Sequence, residues 1–113
     1  MSLSFQALSL ILPPNALSLV GSQVLLNFSE LTNDPINFDS SCVGLTVKLM
    51  QALSDLTTTV NAERASENPS KSPITYVSKD LIGTADAPEI EYSLRVAVDT
   101  SQFFNNLIDP AND

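Results

Sequence analysis

Histidine and tryptophan are absent from the 113 residues, cysteine occurs once and glycine three times. Without histidine no Ser–His or Cys–His relay can be assembled, and zinc sites built on imidazole and thiolate lack their ligands. The single cysteine, Cys42, closes no internal disulfide, so nothing in the chain points to an oxidising compartment and a cytoplasmic setting is expected. The glycines at 21, 44 and 83 stand alone, which leaves no glycine-rich loop to cradle a phosphate. Basic residues are also scarce: five against thirteen acidic ones give a formal net charge of −8. A field of that sign repels nucleic-acid phosphates and anionic membrane, and neither is expected as a partner. A non-enzymatic protein without a cofactor is the reading these absences favour.

What is present describes a folded body. Apolar residues make up 43% and charged residues 16% of the chain, too hydrophobic for a disordered tail and too poor in charge for a long exposed helix. One domain of this mass should expose roughly 6,000 Å² when compactly folded. Charge is segregated along it. Residues 1–29 carry none at all, whereas residues 80–113 hold seven acids against Arg95 alone. The apolar run Leu3 to Leu12 has no basic residue before it and is too short to span a bilayer as a helix, so it is assigned to the fold or to an interface.

The order of elements follows from periodicity. Leu3, Phe5 and Ala7 alternate, then Leu8, Leu10 and Leu12 alternate on the other phase, which predicts a strand with a bulge, ended by Pro13-Pro14. Leu17 to Val20 and Val24 to Phe28 flank Gly21-Ser22, as two short strands around a turn or one bent strand. Residues 41–63 form a helix candidate, capped by Ser40 or Ser41, with Leu45, Leu49, Ala52, Leu53, Leu56 and Val60 on one face. Val43, Val47 and Met50 add an apolar flank, which predicts that the first turns are covered on two sides. Residues 63–73 are polar and contain two prolines, the signature of a mobile surface loop.

Ile74 to Lys79 or Ile82, a turn around Gly83 to Pro88, and Ile90, Tyr92, Leu94, Val96 and Val98 in strict alternation predict a hairpin with one buried and one wet face. A last helix is expected from Thr100 or Ser101 as cap, with Phe103, Phe104, Leu107 and Ile108 on its inner face. The sum is an α+β domain, one long and one short C-terminal helix packed on an antiparallel sheet. In element order alone, residues 23 to 108 resemble a ferredoxin-like arrangement, with an N-terminal strand standing in for the missing last one.

Two surfaces are candidates for function. An uncharged strand without lysine or inward charge is unprotected as a sheet edge, so Leu3, Phe5, Leu8, Leu10 and Leu12 are expected either in a central strand or at an interface between copies of the chain. Asp86, Glu89, Glu91 and Asp99 form an acidic cluster; carboxylates so close together suit a divalent cation or a small ligand, but equally the solvated face of a strand. Cys42 stands at the start of the helix candidate, but with no base in the chain to activate it a buried structural role is expected. The leading expectation is an interaction or assembly module that self-associates through its uncharged N-terminal segment. A ligand- or metal-binding domain on the acidic hairpin is the alternative.

Overall fold

The computed structural model describes residues 2–98, 107, 108, 110 and 111. Residues Phe5–Ile11 form helix α1, started by Ser4, whose hydroxyl oxygen accepts the Ala7 amide at 3.1 Å. The expected N-terminal strand is therefore a helix. Ala7, Leu8 and Leu12 are buried and Ile11 partly so, and this spacing fills one helical face. A leucine-rich run satisfies a broken alternation and a 3.6-residue period alike; the serine cap is the local signal that decides for the helix. With no strand there, the choice between a central and an intersubunit strand lapses.

Two short strands come next, β1 (Leu17–Val20) and β2 (Gln23–Leu26), paired antiparallel with Val20 opposite Gln23. Gly21 has φ +61°, which a two-residue turn with a glycine in first place requires. Asn27 then donates its amide to the Ala16 carbonyl at 2.7 Å, and its side chain caps a one-turn helix, α2 (Phe28–Thr32).

The long helix α3 runs Cys42–Ala65, capped by Ser41, close to the span its periodicity predicts. Ala52, Leu56 and Val60 are buried against α1 and α2, with Leu45 and Leu53 packed at the margin. The β-branched triplet Thr57-Thr58-Thr59 is accommodated because each hydroxyl donates to the carbonyl four residues back, at 2.9, 3.2 and 3.0 Å. Thr57 Oγ1 also accepts the Val77 amide at 3.3 Å, tying the helix to backbone 20 residues further along the chain. The N-terminal turns differ from expectation: Val43 and Val47 are exposed, so they are not covered on two sides within one chain.

Residues 63–73 lie on the surface, but their base is held. Buried Arg64 donates from Nε to the Ser72 carbonyl at 2.8 Å, and the Arg64 carbonyl accepts the Lys71 amide at 3.0 Å. Beyond them β3 (Val77–Gly83) and β4 (Pro88–Leu94) form an antiparallel hairpin in the register Leu81 opposite Ile90 and Asp80 opposite Glu91. The alternating segment does not continue as one strand to Val98. Ala97–Val98 is a separate strand, β5, paired with β6 (Leu107–Ile108). Leu107 and Ile108 are thus extended rather than helical; the remaining residues assigned to a last helix, 100–106, lie outside the described ones.

The class is α+β, but the hairpins do not merge. The described strands make three separate two-stranded sheets, and no ferredoxin-like single sheet forms. Helix α1, in place of the expected strand, packs on both β1 and α3. The core is correspondingly small: parts of α1, α2 and α3 with Ala16 and Ile74.

Candidate interaction surface

The uncharged residues 2–29 supply part of the core, through Ala7, Leu8, Leu12 and Ala16, and also a set of exposed apolar side chains. Of the residues expected at an interface, Leu8 and Leu12 belong to the core, Leu3 packs at its edge, and Phe5 and Leu10 point outward with 64% and 74% of their surface exposed. The helix separates Leu8 from Leu10, two residues that a strand would place on one face. Sequence reasoning missed Leu19, 72% exposed, and its neighbours Val20, Val24 and Leu25 on the hairpin.

Between α1 and the hairpin lies an open groove of about 450 Å³, lined by Phe5, Gln6, Ser9, Leu17, Leu19 and Val24. Its walls are largely apolar and carry no charge, so water in it is poorly held and an apolar surface is the matching occupant. Phe5 also borders a second hollow on the other side of α1, where it meets Leu3, Leu56 and Tyr76.

Exposed apolar side chains recur elsewhere. Ile36 and Phe38 stand on the turn before α3, where Asn37 Oδ1 accepts the Asp39 amide at 2.8 Å and Ser40 Oγ accepts the Asn37 amide at 3.1 Å. On the β3–β4 hairpin Leu81, Ile90 and Leu94 share one face by register, and all three are exposed, Leu81 at 77% and Ile90 at 51%. The alternation of this segment holds, but its apolar face, which also carries Lys79, is covered only near Val77 and Tyr92. In all the chain exposes 8254 Å², where roughly 6,000 Å² suits a compact monomer of its mass. Its radius of gyration is 16.3 Å, against roughly 13 Å for a compact chain of this length.

The opposite face of the hairpin is acidic. Glu91 lies directly across from Asp80, Glu89 lies across from Ile82, and Asp86 sits in the connecting loop; all four acids are exposed. Asp99 lies outside the described residues. Among the described residues no group of three or more acids or cysteines converges to hold a metal ion. Cys42 is exposed at the start of α3 rather than buried. No described helix is long and apolar enough to cross a membrane. No family model, curated protein or solved structure matches the chain.

Proposed function

We propose that the protein is a non-enzymatic assembly module that self-associates through the uncharged face built by residues 1–29. One observation carries this: a stretch without a single charge presents Phe5 and Leu19 to the outside on the walls of an apolar groove, with Leu10 exposed elsewhere on α1. Apolar patches of this kind on a chain otherwise rich in carboxylates mark a surface that another protein covers. A second copy is the natural occupant, because an uncharged face is where chains of net charge −8 approach with least repulsion. The same charge argues against nucleic acid and anionic membrane as partners, and the lone thiol suits a reducing, cytoplasmic setting.

Size-exclusion chromatography with light scattering tests the proposal. Truncating residues 1–12 is unsuitable, since it removes Leu8 and Leu12 from the core. Phe5→Lys with Leu19→Lys alters only exposed positions. The expected result is a dimer or larger species for the wild type and a monomer of unchanged helical circular dichroism for the variant. A wild type that stays monomeric at 100 µM, on the order of the concentrations at which weak dimers form, overturns it.

A further inference from the structure

We propose that the β3–β4 hairpin is an exchange arm, whose Leu81–Ile90 face seats in the α1/β1–β2 groove of a second copy while that copy returns its own arm. The inference rests on the proposed self-association and names the surface that meets the uncharged face. Its first support is the arm's isolation. Two seven-residue strands are marginal in water without a third, and among the described residues none joins them; the hairpin is held at its root, where Val77 is buried and Arg95 donates its amide to the Tyr76 carbonyl at 2.8 Å. Farther out, Leu81 and Ile90 are exposed.

Charge decides which side is covered. Asp80 opposite Glu91 places like charges across the ladder, an arrangement tolerable only where water and salt screen it. That face stays wet; the Leu81–Ile90 face carries a single charge, Lys79 nearer the root, whose long stem can keep its ammonium in water while the tip is covered. Charge also selects the acceptor. An arm with Asp80, Asp86, Glu89 and Glu91 is repelled by most of a chain that is itself acidic, whereas residues 1–29 oppose it with no charge.

Shape points the same way. The arm is a ridge and the Phe5–Leu19–Val24 surface is a groove, so arm on groove fills space that arm on arm would leave open. Phe5 borders both the groove and the hollow that Tyr76 lines at the arm's root, so root and groove neighbour each other at α1.

Complementation between two variants tests this. Leu81→Lys with Ile90→Lys cripples the arm; Phe5→Lys with Leu19→Lys cripples the groove. All four positions are exposed, and each pair moves the net charge toward zero, so lost association is not long-range repulsion. Light scattering on each variant should show a monomer. An equimolar mixture should recover a dimer at least tenfold weaker than wild type, because only the mixed pair keeps one intact arm on one intact groove. If the arm variant associates like wild type while the groove variant does not, the exchange is overturned and self-association through the uncharged face survives. A mixture that recovers nothing also overturns the exchange. If both variants associate like wild type, both readings fall. A second readout is covalent: Leu19→Cys mixed with Ile90→Cys, each in a Cys42→Ser background, should give an oxidised heterodimer on a non-reducing gel, and its absence counts against the exchange.

Discussion

Asn61 and Ile74, thirteen residues apart, are joined by two hydrogen bonds: Asn61 Nδ2 donates to the Ile74 carbonyl at 3.0 Å, and the Ile74 amide donates to Asn61 Oδ1 at 2.7 Å. The side-chain amide replaces the strand neighbour that Ile74 lacks, and it fixes where the chain leaves the loop after α3. Ile74 is itself buried, so both of its backbone groups would be stranded without this partner. Asn61→Ala is expected to lower the unfolding free energy by about 2 kcal/mol, despite alanine's better helix propensity. Asn61→Asp keeps the acceptor and loses the donor, so it should fall between. Urea denaturation of the purified proteins measures both, and an unchanged midpoint for the alanine variant contradicts the clamp.

A different imbalance sits on the arm. The Tyr92 hydroxyl is shut off from solvent and meets no hydrogen-bond partner among the described residues. A buried hydroxyl without a partner costs on the order of 1–3 kcal/mol, while the ring contributes burial either way. Tyr92→Phe should therefore leave Tm unchanged or raise it. A fall in Tm would show that the hydroxyl gains a partner in solution. Measuring Tm across protein concentration would then assign that partner to the chain or to a second copy.

These two sites show where sequence stops being informative. The helix over 42–65 was legible because six apolar residues share one face and a serine precedes it. The turns at Gly21 and around Gly83 were legible because glycine and proline mark them. The start of the chain was not, since its leucines fit two periods and only Ser4 discriminates. Asn61 is an ordinary polar residue on a helix until the chain folds back on it. Ile90 and Leu94 illustrate the deeper limit: alternation fixes that two side chains share a face, but what covers that face is tertiary or quaternary information. The same holds for the candidate site. The absence of charge singled out residues 1–29, yet of Leu3, Phe5, Leu8, Leu10 and Leu12 only Phe5 and Leu10 face outward, because which apolar side chains are free depends on whether the backbone coils or extends.

Gly83 sets the geometry of the arm's tip. Its φ is +85°, and a Cβ there would collide with the Ala87 carbonyl oxygen, a backbone atom that cannot swing aside. The loop is closed by Ala87 and Thr84 exchanging amide–carbonyl bonds of 3.1 and 3.3 Å. Gly83→Ala is expected to destabilise the turn by at least about 1 kcal/mol. Because the arm is held at its root, the loss should appear as faster amide hydrogen exchange in β3 and β4, with exchange in α3 almost unchanged. Equal loss of protection in α3 would mean that arm and core open as one unit.

The electrostatics of the chain give the association a sign that can be read directly. Each copy carries −8, and the face proposed to pair contributes no opposite charge, so bringing two copies together is opposed by repulsion and driven by apolar burial. Added salt shortens the Debye length from roughly 30 Å at 0.01 M to roughly 8 Å at 0.15 M, which screens the repulsion and leaves the burial intact. Dimerisation should therefore strengthen as sodium chloride rises over that range. An interface held by ion pairs does the reverse. Sedimentation equilibrium at the two salt concentrations measures the constant, and its temperature dependence should show a negative heat-capacity change, the mark of buried apolar surface. Weaker association at 0.15 M would place carboxylates, most immediately Asp80 and Glu91, in contact with cations of the partner, and the uncharged face would no longer be the one that pairs.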